Sequence, residues 1–95
     1  MTKYELISYF SSLNRPRAIM LSLLKTGELK KEQVPWDSPA RKLTEKEINL
    51  LLSAYFHNER LYIEYRKKYS IEESELKAKA WAMEYLEKRI NTSKL

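Results

Sequence analysis

The sequence has no cysteine, a single glycine (Gly27) and a single histidine (His57). Without cysteine there is no disulfide framework, no thiolate metal site and no cysteine nucleophile. One glycine cannot build the glycine-rich loops that bring backbone close to a phosphate, and one histidine cannot form a zinc site alone. Asp37 is the sole aspartate that could join His57 in a catalytic triad, and no nucleophile elbow accompanies them. We therefore expect a protein that is not an enzyme and that uses no metal ion or cofactor.

Long apolar runs are also missing. The longest stretch, residues 18–24, is broken by Ser22 and is far shorter than the ~20 residues of a membrane span. The N-terminus has no apolar core of the kind found in secretory signal peptides. We expect a cytoplasmic protein with no membrane partner. Its 95 residues are expected to form one domain, 1–95, with a net charge of +5 that permits binding to nucleic acid.

Two capping boxes and a serine predict three helices. Thr2-x-x-Glu5 and Thr44-x-x-Glu47 each have the spacing in which a threonine and a glutamate side chain accept hydrogen bonds from free backbone N–H groups at a helix start. Ser70 or Ser74 is expected to cap a final helix that runs to about Ile90. The core-facing stripe of that helix is expected to consist of Leu76, Ala80, Met83 and Ile90, with Leu86 beside it.

A further helix is predicted over about Arg15–Lys25. Asn14 is a favourable N-cap, and Pro16 is tolerated in a first helical turn because its missing N–H would be unpaired there. Gly27 is suited to a left-handed helix end.

Residues 28–43 contain Pro35 and Pro39, which prevent a long helix. We expect a short helical piece near Leu29–Val34, followed by a loop that Trp36 anchors to the core.

The segment Leu61–Ile71 has two interpretations. As strands, Leu61–Tyr65 and Lys68–Ile71 would pair in a hairpin, because aromatic and β-branched residues favour strands. As a helix, the segment would extend an aromatic stripe, although no glycine or asparagine is present for a tight hairpin turn. That stripe consists of Tyr55, Tyr62, Tyr65 and Tyr69. If the segment forms strands, the chain is a mainly α winged helix-turn-helix with extra N- and C-terminal helices. If the segment is helical, the chain is an all-α four-helix bundle.

A family resemblance accompanies the first interpretation. The stretch from Arg15 to Leu29, an apolar helix followed by a glycine, resembles the opening helix of PadR-like winged-helix regulators, and the stretch from Leu61 to Glu73 resembles their wing and the start of the next helix. The resemblance covers roughly residues 15–90. Short proteins of this composition are common in archaeal viruses and plasmids. The resemblance implies a DNA-binding dimer that regulates transcription or organises DNA.

In that interpretation a recognition helix, about 44–57, enters the major groove and a basic wing, about 61–71, grips the backbone. An asparagine on the helix can pair with adenine, and cations can hold phosphates. The expected contacts with double-stranded DNA are Arg41, Lys42, Thr44, Lys46, Asn49, Ser53, Arg66, Lys67 and Lys68. The expected homodimer interface consists of Phe10, Trp81, Tyr85 and Leu86.

The bundle interpretation leads to another function. A small helical protein rich in tyrosine and tryptophan can bind a protein partner, because these residues supply much of the energy of protein interfaces. The alternative is therefore an inhibitor or immunity-type protein whose partner is a host protein.

Overall fold

The computed structural model describes residues 2–93, and these residues form four α-helices and no β-strand. The helices are α1 (Lys3–Ser11), α2 (Arg15–Thr26), α3 (Glu45–Tyr65) and α4 (Ile71–Ser93). Two short 3-10 turns, Lys31–Gln33 and Pro39–Lys42, lie between α2 and α3. The mainly α-helical class is confirmed, and the bundle alternative fits this architecture. None of the helices in the described range is long and apolar enough to cross a membrane.

Both predicted capping boxes form. The Thr2 hydroxyl accepts from Glu5 N–H at 3.2 Å and the Glu5 carboxylate accepts from Thr2 N–H at 3.1 Å, and the corresponding distances for Thr44 and Glu47 are 3.2 and 2.7 Å. Glu47 is also buried. Burial acts to raise the pKa of Glu47, while hydrogen bonds from Thr44 act to lower it, and the pKa ends below its ordinary value. The carboxylate is therefore held ionised at the start of α3.

The predicted ends of α2 are confirmed. The Asn14 side chain accepts from Arg17 N–H at 3.0 Å, and Gly27 has a φ of 87°, the left-handed conformation that favours glycine. The prediction that Trp36 anchors the following loop is wrong, because Trp36 is 83% exposed in a turn closed by a hydrogen bond from Ser38 N–H to the Pro35 carbonyl. The residues that anchor the loop to the core are Val34, Ala40 and Leu43.

The predicted wing is wrong for the described chain. Leu61–Tyr65 continues α3 instead of forming a strand, and residues 66–70 make a turn that leads directly into α4 at Ile71. The helix expected over 44–57 begins where predicted but runs eight residues further. The physical reason is that helical hydrogen bonds persist through the segment, as from Arg66 N–H to the Tyr62 carbonyl at 2.9 Å, and no residue is suited to a tight hairpin turn.

The buried face of α4 consists mostly of small residues. Its members lie four residues apart: Ser74, Ala78, Ala82, Leu86 and Ile90. Of the predicted stripe, Ile90 is buried as expected, whereas Leu76 is 72% exposed, Ala80 is exposed and Met83 is half-buried. The pattern favoured the largest apolar side chains, whereas α4 packs most extensively against α3 through alanines that allow a close approach.

Each of the first two helices runs antiparallel to a later one. Along α4, Lys3 Nζ donates to Asn91 Oδ1 at 3.1 Å near one end of α1, and Lys79 Nζ donates to the Ser11 carbonyl at 2.9 Å near the other. Along α3, the start of α2 lies beside Glu59 and its end lies beside Glu45. The turn between α1 and α2 is therefore level with Glu59 and Lys79, and the α3–α4 hairpin extends beyond it.

Candidate functional site: a groove along the third helix

The end of the α3–α4 hairpin, which we call the hairpin tip (residues 60–77), carries several large apolar and aromatic side chains that are not buried. Within it, Ser74 alone is buried. Seven large apolar or aromatic residues in the tip are exposed or half-buried: Leu61, Tyr62, Ile63, Tyr65, Tyr69, Ile71 and Leu76. The tyrosine stripe of the bundle interpretation is therefore at most half-buried. Clustered apolar surface of this kind marks interaction sites.

Two adjoining clefts lie along α3, one beside α2 and the other beside α4. The first lies between α2 and α3 and includes Ile19 and Phe56, and the second includes Ile63 and lies between α3 and α4. Glu59 lines both clefts, so they form one continuous surface, which we call the α3 groove. Ile19, Phe56 and Ile63 are 53%, 49% and 61% exposed. Three large, partly exposed apolar side chains thus line the two clefts.

Polar groups converge at the middle of the α3 groove. Burial raises the pKa of Tyr55, and a hydrogen bond with Glu59 and the negative charge of Glu59 raise it further, while Arg15 acts in the opposite direction. Arg15 and Glu59 therefore lie near the Tyr55 hydroxyl. The Asn58 Oδ1 atom is buried beside the second cleft and accepts no hydrogen bond from residues 2–93. The α3 groove thus combines an apolar surface with charges at its centre and an unused acceptor.

The turn at the hairpin tip is held by its own side chains. Arg66 Nη1 donates to the Tyr69 carbonyl at 2.7 Å, and the Tyr65 and Tyr69 rings meet edge to face at 6.0 Å. The Lys77 ammonium lies over the Tyr69 ring at 4.8 Å. Cations on this turn are consequently presented from an ordered backbone.

The residues predicted to contact DNA near the start of α3 differ in availability. Lys42, Lys46 and Ser53 are exposed. Arg41 is half-buried and its Nε donates to the Lys31 carbonyl at 3.0 Å, while the Thr44 hydroxyl already caps α3. Asn49, expected to read bases, is half-buried, and its Oδ1 is buried without a partner among the described residues.

The predicted contacts in the turn, Arg66, Lys67 and Lys68, are all exposed. However, the 21 residues of α3 separate them from Lys46 by about 30 Å, at 1.5 Å per residue. A wing would have folded back beside the recognition helix, and the continuation of α3 prevents this. The structure therefore does not bring the two predicted sets together.

The four residues predicted for a dimer interface have different environments. Phe10 and Leu86 belong to the buried core, so they stabilise their own chain and offer no surface to a second one. Tyr85 is half-buried and stacks on His57 with ring centroids 4.8 Å apart. Trp81 is the member of the set that is mostly exposed.

Sequence reasoning missed the residues of the α3 groove. It placed Ile63 in the segment that could form either strands or a helix, and it named neither Ile19 nor Phe56 as a candidate functional residue. The spacing of seven residues between Phe56 and Ile63 was a usable signal, because residues seven apart share a helix face. Their proximity to Ile19 depends on how α2 packs on α3.

No protein-family model, curated protein or solved structure matches the chain. Across residues 2–93 there is also no group of three or more His, Asp or Glu side chains that could hold a metal ion. The surface of the molecule itself is therefore the basis for a functional proposal.

Proposed function

We propose that the protein is a non-catalytic binding module that accepts an amphipathic helix of a partner protein in the α3 groove. The observation that carries the proposal is that Ile19, Phe56 and Ile63, large apolar side chains that are each about half exposed or more, line the α3 groove. A groove of this type recognises a helix through apolar residues placed at i, i+3 or i+4, and i+7. Phe56 and Ile63 are about 10 Å apart along α3, or two helical turns.

The charges beside the α3 groove define the partner further. Glu59 and Glu75 both line the second cleft, and neither forms an ion pair within the described chain. A partner helix with basic residues flanking its apolar stripe would pair with these carboxylates. Such pairs add specificity and a faster approach more than they add affinity.

A photo-crosslinking experiment tests this function. p-Benzoylphenylalanine in place of Phe56, in the cells that produce the protein, is expected to form an adduct with one partner that mass spectrometry can identify. That partner, once purified, should bind the wild-type protein and bind Ile63→Glu at least about 30-fold more weakly, the loss expected at an interface hot spot. Isothermal titration calorimetry measures both affinities.

Leu76→Glu is the matched control, because Leu76 is 72% exposed on the same hairpin but does not line the groove. It should bind the partner as the wild type does. The proposal is wrong if the probe at Phe56 forms no more adducts than a probe at the exposed loop residue Glu28, or if Ile63→Glu retains full affinity.

DNA binding is a second candidate function, and one observation favours it. Arg66, Lys67 and Lys68 are three consecutive exposed cations on an ordered turn, in a chain of net charge +5. Lys67 pairs with Glu64 at 3.4 Å across a well-solvated surface, and Lys68 pairs with no described residue. These cations would contact phosphates from the turn, without the wing and without base recognition by Asn49.

The dependence of DNA affinity on salt tests this second candidate. If all three cations contact phosphates, the slope of log affinity against log salt should be about −2.7 or steeper, because each contact contributes about −0.9. Changing both Lys67 and Lys68 to glutamine should reduce the slope by about 1.8. Lys88→Gln, an exposed site near the other end of the hairpin, should leave it unchanged. A wild-type slope near zero would exclude phosphate binding.

A further inference from the structure

A third cleft, separate from the two clefts of the α3 groove, lies on the other side of the turn between α1 and α2. Tyr4 and Ser8 of α1 form one wall, Arg17 of α2 forms another, and Pro39 closes a third side. Met20 contributes an apolar thioether. The cleft therefore combines a flat aromatic ring, apolar surface and a cation.

Arg17 is an exposed residue at this cleft whose guanidinium is held by two hydrogen bonds and has donors to spare. Its Nη1 atom donates to the Ser12 hydroxyl at 3.1 Å and to the Ser12 carbonyl at 3.4 Å. A guanidinium carries five N–H donors, and those on Nε and Nη2 make no hydrogen bond to residues 2–93. The side chain is thus oriented before any ligand arrives, which lowers the entropic cost of binding.

Tyr9 provides a second, independent donor. It lines the same cleft, is only 8% exposed, and its hydroxyl forms no hydrogen bond with another described residue. Burial raises the pKa of Tyr9 and the charge of Arg17 opposes that effect, so the two groups lie near each other and the hydroxyl is protonated at neutral pH. The hydroxyl itself is open to solvent, although the ring is buried, so it is free to donate to a ligand in the cleft.

The charges around the cleft favour an anion. Glu5 lines it, but its carboxylate already accepts the Thr2 N–H, and a backbone hydrogen bond from Thr2 is the main reason that its pKa is lowered. Lys42 lies close enough to lower that pKa slightly as well. The free donors of Arg17, with Lys42 nearby, are therefore opposed by one carboxylate that is already engaged.

We infer that this cleft binds an oxyanion carried on an aryl group, such as an aryl carboxylate or aryl phosphate. The oxyanion accepts from the free guanidinium N–H groups of Arg17 and from the Tyr9 hydroxyl. The aryl ring lies against Tyr4, Met20 and Pro39. Charge-assisted hydrogen bonds with a planar guanidinium suit this class of ligand.

NMR titration of the ¹⁵N-labelled protein with benzoate and phenyl phosphate, at constant ionic strength, tests the inference. Saturable shifts at the Ser8 and Ser12 amides and at Arg17 Nε are expected, with a Kd on the order of 1 mM for such small probes. Arg17→Gln should weaken binding at least about tenfold. Tyr9→Phe keeps the buried ring and should weaken binding about threefold to tenfold.

Arg15→Gln is the matched control, because Arg15 is an exposed arginine two residues away that does not line the cleft. It should bind both probes as the wild type does. The inference is overturned if neither probe gives saturable shifts, if Arg15→Gln loses as much affinity as Arg17→Gln, or if the neutral probe benzyl alcohol binds equally well. Equal binding of inorganic phosphate would overturn the requirement for an aryl group.

Discussion

Replacing Leu86 by alanine is expected to lower the free energy of unfolding by about 2–5 kcal/mol. Leu86 is fully buried in the core, where α4 packs against α1 and α3. Truncation removes apolar contacts and leaves a cavity that rigid neighbouring helices cannot fill. A small domain has only about 5–15 kcal/mol of total stability, so this loss is a large share of it. Urea denaturation should show the midpoint falling with little change in slope.

The control for this prediction is Leu76→Ala on the same helix. Leu76 is 72% exposed, so its truncation should change stability by no more than about 0.5 kcal/mol. Sequence pattern alone predicts the larger loss of stability for Leu76→Ala, since it placed Leu76 in the core stripe and Leu86 at a dimer interface. A stability loss for Leu76→Ala equal to that for Leu86→Ala would contradict the observed phase of α4.

Glu47→Ala is expected to cost about 1–3 kcal/mol. The Glu47 carboxylate accepts the Thr44 N–H at 2.7 Å, and its removal leaves that donor at the start of α3 without its charged acceptor. Glu45→Ala is the matched control, because Glu45 lies in the same first turn but is exposed, and its loss should cost only a few tenths of a kcal/mol. Thermal or urea unfolding measures both. Equal losses would mean that the capping box contributes little.

The same carboxylate makes stability depend on pH. Because the pKa of Glu47 is lowered in the folded chain from an ordinary value of 4.5, ionisation stabilises the fold above that value. The contribution is lost as pH falls through the lower, folded pKa. Glu47→Gln keeps a neutral oxygen that can accept the Thr44 N–H but has no charge to titrate. The stability difference between wild type and Glu47→Gln should therefore shrink below about pH 4.5, and a constant difference down to pH 2 would contradict the shift.

Local signals in the sequence predicted the starts of α1, α2 and α3 and the end of α2 well. The capping boxes, the Asn14 cap and the left-handed Gly27 all depend on groups three or four residues apart, so tertiary packing has little influence on them. The segment 61–71 was ambiguous because its aromatic and β-branched residues suit strands. Its conformation is set by the continuation of α3 and by the turn into α4, neither of which those residue types specify.

The face that each helix buries was harder to predict, and so was the α3 groove. The burial of Ala78 and Ala82 ahead of Leu76 reflects the close approach of α3 and α4, a tertiary property that hydrophobicity does not rank. Similarly, no local pattern places Ile19 beside Phe56, because that contact depends on the antiparallel packing of α2 along α3.

Because small residues form part of the contact between α3 and α4, the two ends of the hairpin differ in how cooperatively they unfold. At the end of the hairpin opposite the tip, which we call the base, Leu86 and Ile90 of α4 belong to a core shared with α1 and α3. The helices at the base are therefore expected to unfold together. Towards the tip, Ser74 and Ala78 are buried outside that core, and their burial removes little apolar surface from water. The tip therefore opens at a lower free energy than the base. A ligand that fills the α3 groove would supply the missing burial and extend the cooperative unit to the end of the hairpin.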